Sequence, residues 1–513
     1  MQMGNLIRNR YLAGVTTSHL LKGASLLVAL WLTPFILGKL GREQYGIYVL
    51  AVSVAGWLRV CDFGSPAALQ IRLARFPDNG GAASALVTAA FAAQLLTALM
   101  ACSAGLALAA GFPALAGLAP SVARGAVAVV ALLSLDAGVS LLTKVFSAVL
   151  IARQQFHRDN AVQLAAIGMR VVVTVVLLLE GWTLAALAVA LLSGSLLRLA
   201  LTYFESRRIE KFVIRPRLLS WSHLRDVGGL GMWFSVGGLA GLMILSVDLI
   251  LAAELISVES VAVLYLTARL YSLAEGMFKP VVDVARPVLG ALLGQGEASK
   301  AADAYHKLES LTMVFTLVLS ASIWAVNEQF VAAWVGPDNY GGIWLNTALA
   351  AAFVVNLWVL PKRAVLSAAL VVKPQSLSRL GEGVVKIVLS ILLGSRFGLP
   401  GIVSATSLAG LSNSVWYLER LVAGMFKPLG ATVPFTPRMR PLVFVPVLMT
   451  VAVIGWEMTV AVGGYAGVTL GFIATAIAAS CVIWTQGLDH GTRSPLVVAL
   501  SGLNEANGVE SRV

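Results

Sequence analysis

The chain has 513 residues, of which 58% are hydrophobic and only 12% are charged, and its mean hydropathy is +0.86. Soluble domains carry about 25% charged residues. This composition therefore excludes a soluble enzyme, and it excludes a disordered or nucleic-acid-binding chain despite a formal net charge of +12. Apolar runs such as 85–110 are continuous, which is typical of membrane-spanning helices and excludes the alternating strands of an outer-membrane barrel.

The apolar runs predict an all-α polytopic membrane protein with about 14 transmembrane helices of about 20 residues each. In chain order the predicted spans are 16–37, 45–66, 84–110, 125–151, 161–179, 182–203, 226–253, 260–291, 308–334, 343–371, 380–395, 397–419, 441–462 and 464–485. The eleventh span has the least support, because it carries Glu382 and Lys386.

Lys and Arg residues concentrate in the loops on one side of the predicted membrane. With the N-terminus in the cytoplasm, the cytoplasmic segments hold 22 basic residues, whereas the outer segments hold only Lys39, Arg42, Arg124 and Arg396. The positive-inside rule therefore predicts that both termini are cytoplasmic. This asymmetry also explains most of the positive charge without a nucleic-acid partner.

Two long basic loops divide the helices into two six-helix bundles and a C-terminal helix pair, a plan typical of transporters with a substrate site between the halves. The predicted parts are 1–203 (first bundle), 204–225 (cytoplasmic linker), 226–419 (second bundle), 420–440 (cytoplasmic linker), 441–485 (helix pair) and 486–513 (cytoplasmic tail). No cleavable signal peptide, catalytic motif, cofactor or metal site is predicted. The three cysteines, Cys61, Cys102 and Cys481, lie far apart.

A motif joins the first two predicted spans. Residues 40–48 read Leu-Gly-Arg-Glu-Gln-Tyr-Gly-Ile-Tyr, and Asp62-Phe63-Gly64 follows at the end of the second span. This combination resembles the start of polysaccharide flippases, a family of the multidrug, oligosaccharidyl-lipid and polysaccharide exporter superfamily. The resemblance is strongest over 1–80 and continues more weakly through Asp248 and Tyr265 to Pro287, and at 398–401.

The resemblance implies a V-shaped pair of helical bundles around a central cavity in the bacterial inner membrane. It also implies export of a polyprenyl-diphosphate-linked oligosaccharide by alternating access, for the synthesis of a cell-surface polysaccharide or exopolysaccharide. The expected partners are this lipid-linked oligosaccharide, the lipid bilayer and other polysaccharide-assembly proteins. The glycan and the energy source stay open.

Three cations within the predicted spans are candidates for binding the diphosphate. A charge in the middle of the bilayer costs about 2.5–3.5 kcal/mol, so Lys22, Arg59 and Arg269 are predicted to face a water-filled cavity or a partner. Related flippases place cavity cations on helices one, two and eight, which are the helices that carry these residues. For Arg59, pairing with Asp62 three residues later is an equally open interpretation.

Five further charged residues are candidates for lining the cavity or for coupling transport to an ion: Asp62, Asp136, Lys144, Asp248 and Glu275. Asp136, Ser140 and Lys144 recur every four residues and predict one polar stripe on the fourth span. In the eighth span, Glu275, Lys279 and Asp283 have the same spacing and suggest mutual neutralisation. Arg269 lacks an acid at the matching positions and is therefore expected to serve a ligand.

Two alternative functions are compatible with the sequence. A drug or cation exporter of the same superfamily would use an acidic cavity, which Asp62, Asp136 and Asp248 would supply. A membrane glycan polymerase or ligase needs a sizeable domain outside the membrane to hold a sugar donor. Outer connections as short as Glu180-Gly181 argue against this second alternative.

Overall fold

The structure is a computed structural model that describes residues 2–58, 64–75, 80–219, 231–429 and 445–482. Within these ranges the regular secondary structure is helical and no strand occurs, so the prediction of an all-α membrane protein is confirmed. The described chain divides into two compact units, Met1–Tyr265 and Leu266–Val513.

The helices that begin before the boundary of the units are α1 (Gln2–Leu58), α2 (Ser65–Arg75), α3 (Gly80–Leu115), α4 (Pro120–Ala152), α5 (Phe156–Leu179), α6 (Leu184–Ile209), α7 (Gly231–Leu245), α8 (Val247–Leu255) and α9 (Val258–Thr267), and the last of them crosses the boundary. The later helices are α10 (Arg269–Gly294), α11 (Ala298–Val335), α12 (Gly342–Ala368), α13 (Val372–Ala409), α14 (Trp416–Phe426), α15 (Val445–Val462) and α16 (Gly464–Val482). A π-helical turn, Gly410–Val415, connects α13 to α14.

Nine helices in the described ranges are long and apolar enough to cross a membrane, and a bent pair formed by parts of α7 and α8 raises the number to ten. The 57 residues of α1 would form a straight helix about 85 Å long, whereas the hydrocarbon core is about 30 Å thick. The backbone of α1 is non-helical at Gly41 (φ 76°), so α1 consists of two helical segments, as the glycine-containing motif at 40–48 predicts. These observations identify a multi-pass membrane protein.

The chain also reverses its direction within α13, at Gly398, whose φ of 64° lies in the left-handed region that favours glycine. The Ser390 hydroxyl donates a hydrogen bond to the Ile402 carbonyl at 3.2 Å. In a straight helix these residues would be about 18 Å apart along the axis. Gly401 packs so closely on the other arm that a Cβ atom there would lie 2.2 Å from the Leu393 carbonyl oxygen. The two arms correspond to the predicted eleventh and twelfth spans.

The predicted eighth span, 260–291, is interrupted in the structure by a one-residue break at Ala268, between α9 and α10. The Asn327 side chain donates a hydrogen bond to the Thr267 carbonyl at 3.0 Å and a second one to the Asn346 side chain at 2.9 Å. Within a membrane, a break in a helix requires such substitute donors, because lipid cannot supply them. The break is therefore built into the core of the second unit.

The segment 210–215, here called the linker strap, follows α6 and packs against α3 in the first unit. The Phe212 side chain is buried in a cluster with Phe146. The backbone amides of Val213 and Arg215 donate to the hydroxyls of Ser84 (3.1 Å) and Thr88 (3.3 Å), respectively. The first part of the predicted linker 204–225 is therefore held against the first unit, and its residues 220–225 lie outside the described ranges.

Helices α7 to α9 pack against α1 within the first unit. The Ser53 hydroxyl donates to the Ser246 carbonyl at 3.2 Å, and the rings of Tyr45 and Tyr265 meet edge to face with their centroids 6.2 Å apart.

The division of the chain into two six-helix bundles and a helix pair stays a prediction.

Candidate functional site

A cavity of about 440 Å³ lies inside the first unit, among α1, α4, α5 and α6. It is lined by both segments of α1, because Ser25 precedes the turn at Gly41 and Tyr48 follows it. The turn predicted from the glycine-containing motif therefore brings two parts of the same helix to one cavity. We consider this cavity the candidate functional site of the first unit.

Hydroxyl groups from three helices line the cavity. They belong to Ser25, Tyr48, Ser140, Thr143 and Ser195. The Ser25 hydroxyl donates to the Leu21 carbonyl at 2.7 Å, and the Thr143 hydroxyl donates to the Val139 carbonyl at 2.8 Å. Because the hydrogen atoms of these two hydroxyls are used within their own helices, their oxygens are available to a ligand as hydrogen-bond acceptors.

The cavity also contains charged groups of both signs. Arg170 and Arg198 line it together with Asp136, which is 1% exposed. The guanidinium of Arg198 lies 3.8 Å from one carboxylate oxygen of Asp159, and the other carboxylate oxygen of Asp159 accepts a short hydrogen bond from the Ser147 hydroxyl. Among the described lining residues the charged side chains are therefore two arginines and one aspartate, and Asp159, which is not part of the lining, offsets part of the charge of Arg198.

Several of the predicted site residues lie in or near this cavity. Asp136 and Ser140 both line it, which agrees with a polar stripe on the fourth span. Lys144, the third member of that stripe, is half-buried and is not part of the lining. Lys22 is exposed on α1, three residues before the lining residue Ser25. Arg59 and Asp62 lie outside the described residues.

The other predicted residues occupy helix ends or pair with charges from other helices. Arg269 is the first residue of α10 and is half-buried, and Asp248 is half-buried in the first turn of α8. Both take part in interactions within the structure. Glu275 is half-buried, and its charge interacts with that of Lys279, as its spacing suggests, and with that of Arg379 on α13. That Lys22, Arg59 and Arg269 bind the same ligand stays a prediction.

A buried ion cluster in the second unit was not predicted from the sequence. The side chain of Lys362 on α12 is fully buried, and its ammonium nitrogen lies 2.5 Å from Glu309 on α11 and 3.2 Å from Glu419 on α14. The same nitrogen lies 5.3 Å from the centre of the Trp358 ring. This arrangement neutralises a cation that would otherwise be costly within a membrane.

The neighbouring residue Arg363 forms a second ion pair at the same end of α12. Its guanidinium donates to Glu382 on α13 at 2.9 Å and to the Ser414 hydroxyl at 3.3 Å. Ser414 lies in the π-helical turn and also donates a short hydrogen bond to Glu382. The sequence signal was visible as charges within spans, Lys362, Arg363 and Glu382, but their partners lie on other helices. These groups satisfy one another, whereas the cavity of the first unit has room for a ligand.

The polysaccharide biosynthesis protein family matches residues 40–338, which is more than half of the chain. The chain belongs to this family. A curated relative, the uncharacterized membrane protein EpsK of Bacillus subtilis (strain 168), is 23% identical over 436 residues and covers 80% of this chain and 85% of its own length. The expectation of a polysaccharide flippase family from the motifs at 40–48 and 62–64 is thereby confirmed at the level of the family.

Solved transporter structures share the fold. An inward-facing multidrug resistance MATE family transporter of the MOP superfamily has a TM-score of 0.64 at 15% identity, covering 78% of this chain and 99% of its own. The lipid II flippase MurJ in an inward closed conformation has a TM-score of 0.63 at 13% identity, covering 92% of this chain and 99% of its own. The family member described here therefore has the polytopic fold of MOP superfamily transporters.

Proposed function

We propose that this protein translocates a polyprenyl-diphosphate-linked oligosaccharide across the bacterial inner membrane by alternating access. The observation that carries the proposal is the hydroxyl-rich cavity, with charged groups of both signs, among α1, α4, α5 and α6, in a chain of the polysaccharide biosynthesis family. A polar cavity inside membrane helices is costly to maintain and marks a pathway for a polar substrate. A flippase needs such a pathway, because a glycan cannot cross the hydrocarbon without it.

The substrate has three parts with different physical needs. The diphosphate is a compact anion that is stabilised by Lys or Arg, and Lys22, Arg59 and Arg269 are proposed to bind it. The glycan is polar and requires a hydrated path. The polyprenyl tail is apolar, and the nearly uncharged helices α15 and α16 are proposed to guide it while it stays in contact with lipid.

Orientation and charge also fit this proposal. Both termini are proposed to be cytoplasmic, where the lipid-linked precursor would be loaded, and the basic linker strap would then lie on the cytoplasmic side. Asp62, Asp136, Lys144, Asp248 and Glu275 are proposed to line the path or to couple transport to an ion. Other polysaccharide-assembly proteins are proposed as partners on the two sides of the membrane.

Replacement of the proposed cations tests this function in cells. In the source strain, Arg59→Ala and Arg269→Ala are expected to abolish export of the glycan and to cause the lipid-linked precursor to accumulate, while the protein still reaches the membrane. Lys39→Ala, an exposed lysine outside the proposed site, is the control and is expected to export normally. Normal export in both single variants would contradict the assignment of these cations.

A second candidate function is export of a cationic drug, which the fold shared with MATE transporters favours. The charge of the described lining argues against it, because the two guanidinium groups of Arg170 and Arg198 outnumber the one carboxylate, that of Asp136, and would disfavour a cation. An uptake assay with a cationic dye separates the two functions. Dye export that depends on Asp136 would favour the drug exporter.

A further inference from the structure

The cavity of the first unit offers both donors and acceptors of hydrogen bonds. The acceptors are the carboxylate of Asp136 and the hydroxyl oxygens of Ser25 and Thr143, whose hydrogens are already donated within α1 and α4. The donors are the guanidinium groups of Arg170 and Arg198. A ligand that satisfies this lining must itself both donate and accept hydrogen bonds.

A diphosphate does not meet this requirement. When ionised it presents only acceptor oxygens, so the oxygens of Ser25 and Thr143 would receive no hydrogen from it. The carboxylate of Asp136 would also repel it, and Arg198 already has the carboxylate of Asp159, which lies outside the lining, within 3.8 Å. An anion would therefore compete with charges that belong to the protein.

A sugar residue meets the requirement, because each of its hydroxyl groups both donates and accepts and it carries no charge. Carboxylate and guanidinium groups together can bind adjacent hydroxyls, the carboxylate as acceptor and the guanidinium as donor. The volume of about 440 Å³ falls within the range of about 300–1,000 Å³ that is usual for small-ligand sites. It has room for a small saccharide unit.

We propose that the cavity among α1, α4, α5 and α6 is a saccharide site that binds an uncharged, hydroxyl-bearing sugar of the cargo and not its diphosphate. This proposal rests on the proposed function, and it divides the cargo between two places. The glycan contacts Asp136, Thr143, Ser195 and Arg198 in the first unit, and the diphosphate is left to the cations Lys22, Arg59 and Arg269.

The test measures weak binding to the purified full-length protein in detergent. Saturation-transfer difference NMR detects binding of methyl glycosides of glucose, galactose, mannose and N-acetylglucosamine, and line broadening in ³¹P NMR detects inorganic pyrophosphate. Ser195→Leu fills the cavity, and Thr143→Val removes the acceptor oxygen with little change of shape. The matched controls are Ser193→Leu and Thr174→Val. The hydroxyl of Ser193 on α6 donates a hydrogen bond to the Ala190 carbonyl, and Thr174 is a buried residue of α5 that is not part of the lining.

The wild-type protein is expected to bind at least one glycoside. Ser195→Leu should lose the glycoside signal, and Thr143→Val should weaken binding roughly 2- to 10-fold, as expected for one lost hydrogen bond. Both controls should bind as the wild type does, and pyrophosphate broadening should be the same in all five proteins. Weaker glycoside binding by Thr143→Val than by Thr174→Val supports the site even if Ser195→Leu folds poorly.

Other outcomes overturn the proposal. The saccharide site is wrong if no glycoside binds the wild type, if the cavity variants bind glycosides as well as their controls do, or if these variants lose pyrophosphate instead. Any of these results, together with loss of export in Arg269→Ala, would leave the flippase function in place. Glycoside binding in the cavity without transfer of a lipid-linked saccharide would instead contradict the flippase function.

Discussion

The ammonium nitrogen of Lys362 lies 2.5 Å from a carboxylate oxygen of Glu309, and this pair joins α12 to α11 within the second unit. A second carboxylate, that of Glu419 on α14, lies 3.2 Å from the same nitrogen. One fully buried lysine therefore holds three helices together and separates two acidic groups that would repel each other without it.

Replacement of Lys362 by Met is expected to destabilise the second unit by about 3–5 kcal/mol, because it leaves buried carboxylates without their cation. The measurement is the thermal unfolding midpoint of the purified protein in detergent. Lys300→Met is the control, since Lys300 is an exposed partner of Glu297 in an i,i+3 pair, for which a loss of about 1 kcal/mol or less is expected. Equal midpoints for the two variants would show that the cluster contributes little to stability.

The reversal at Gly398 requires close contact between the two arms of α13. Gly401→Ala would place a Cβ atom 2.2 Å from the Leu393 carbonyl oxygen, and the arms would have to separate. We expect a lower yield of folded protein and a lower unfolding midpoint, measured by size-exclusion chromatography and thermal unfolding. Gly168→Ala on α5 is the control, because its added Cβ meets no atom within 4 Å. A Gly401→Ala variant as stable as Gly168→Ala would contradict this packing.

The linker strap is expected to depend on the buried ring of Phe212. Phe212→Ala should release the strap, because this ring is buried in the cluster with Phe146, and trypsin should then cleave faster after Lys211. The measurement is limited proteolysis followed by mass spectrometry of the fragments. Phe204→Ala is the control, since that ring is 60% exposed. Unchanged cleavage in Phe212→Ala would mean that the other contacts of the strap, its hydrogen bonds to α3 and the ion pair between Glu210 and Arg153, suffice to hold it.

The predicted orientation is tested by labelling single cysteines from outside the cell. In a background without the three native cysteines, Arg124→Cys is expected to react with a membrane-impermeant maleimide in intact cells. Arg217→Cys is expected to react only after the membrane is opened. Both residues are exposed in the structure, so accessibility within the protein does not limit either reaction. The reverse pattern would place the N-terminus outside.

Features that depend on nearby residues could be predicted from the sequence. Asp136 and Ser140 share a helical face through their spacing alone, and the structure places both in the cavity lining. The turn at Gly41 follows from the conformational freedom of glycine. Helices were recognised from continuous apolar runs, because a membrane helix satisfies its own backbone hydrogen bonds.

Features that depend on distant residues could not be predicted. Lys362 and Glu309 are separated by 53 positions, and nothing in their local spacing links them. The break at Ala268 is stabilised by Asn327, which lies 60 positions from Thr267. Tertiary contacts of this kind decide which charge within a span is neutralised, so the sequence alone does not distinguish the buried, paired Lys362 from the exposed Lys22.

Transfer of a lipid-linked saccharide between leaflets tests the central claim most directly. The purified protein is reconstituted into vesicles that contain a fluorescent polyprenyl-diphosphate disaccharide, and a membrane-impermeant quencher reports how much of it lies in the outer leaflet. We expect the quenchable fraction to equilibrate faster than in protein-free vesicles, and Arg269→Ala to abolish this acceleration. Equal rates with and without the protein, under every ion gradient and membrane potential applied, would contradict the proposal that the protein is a flippase.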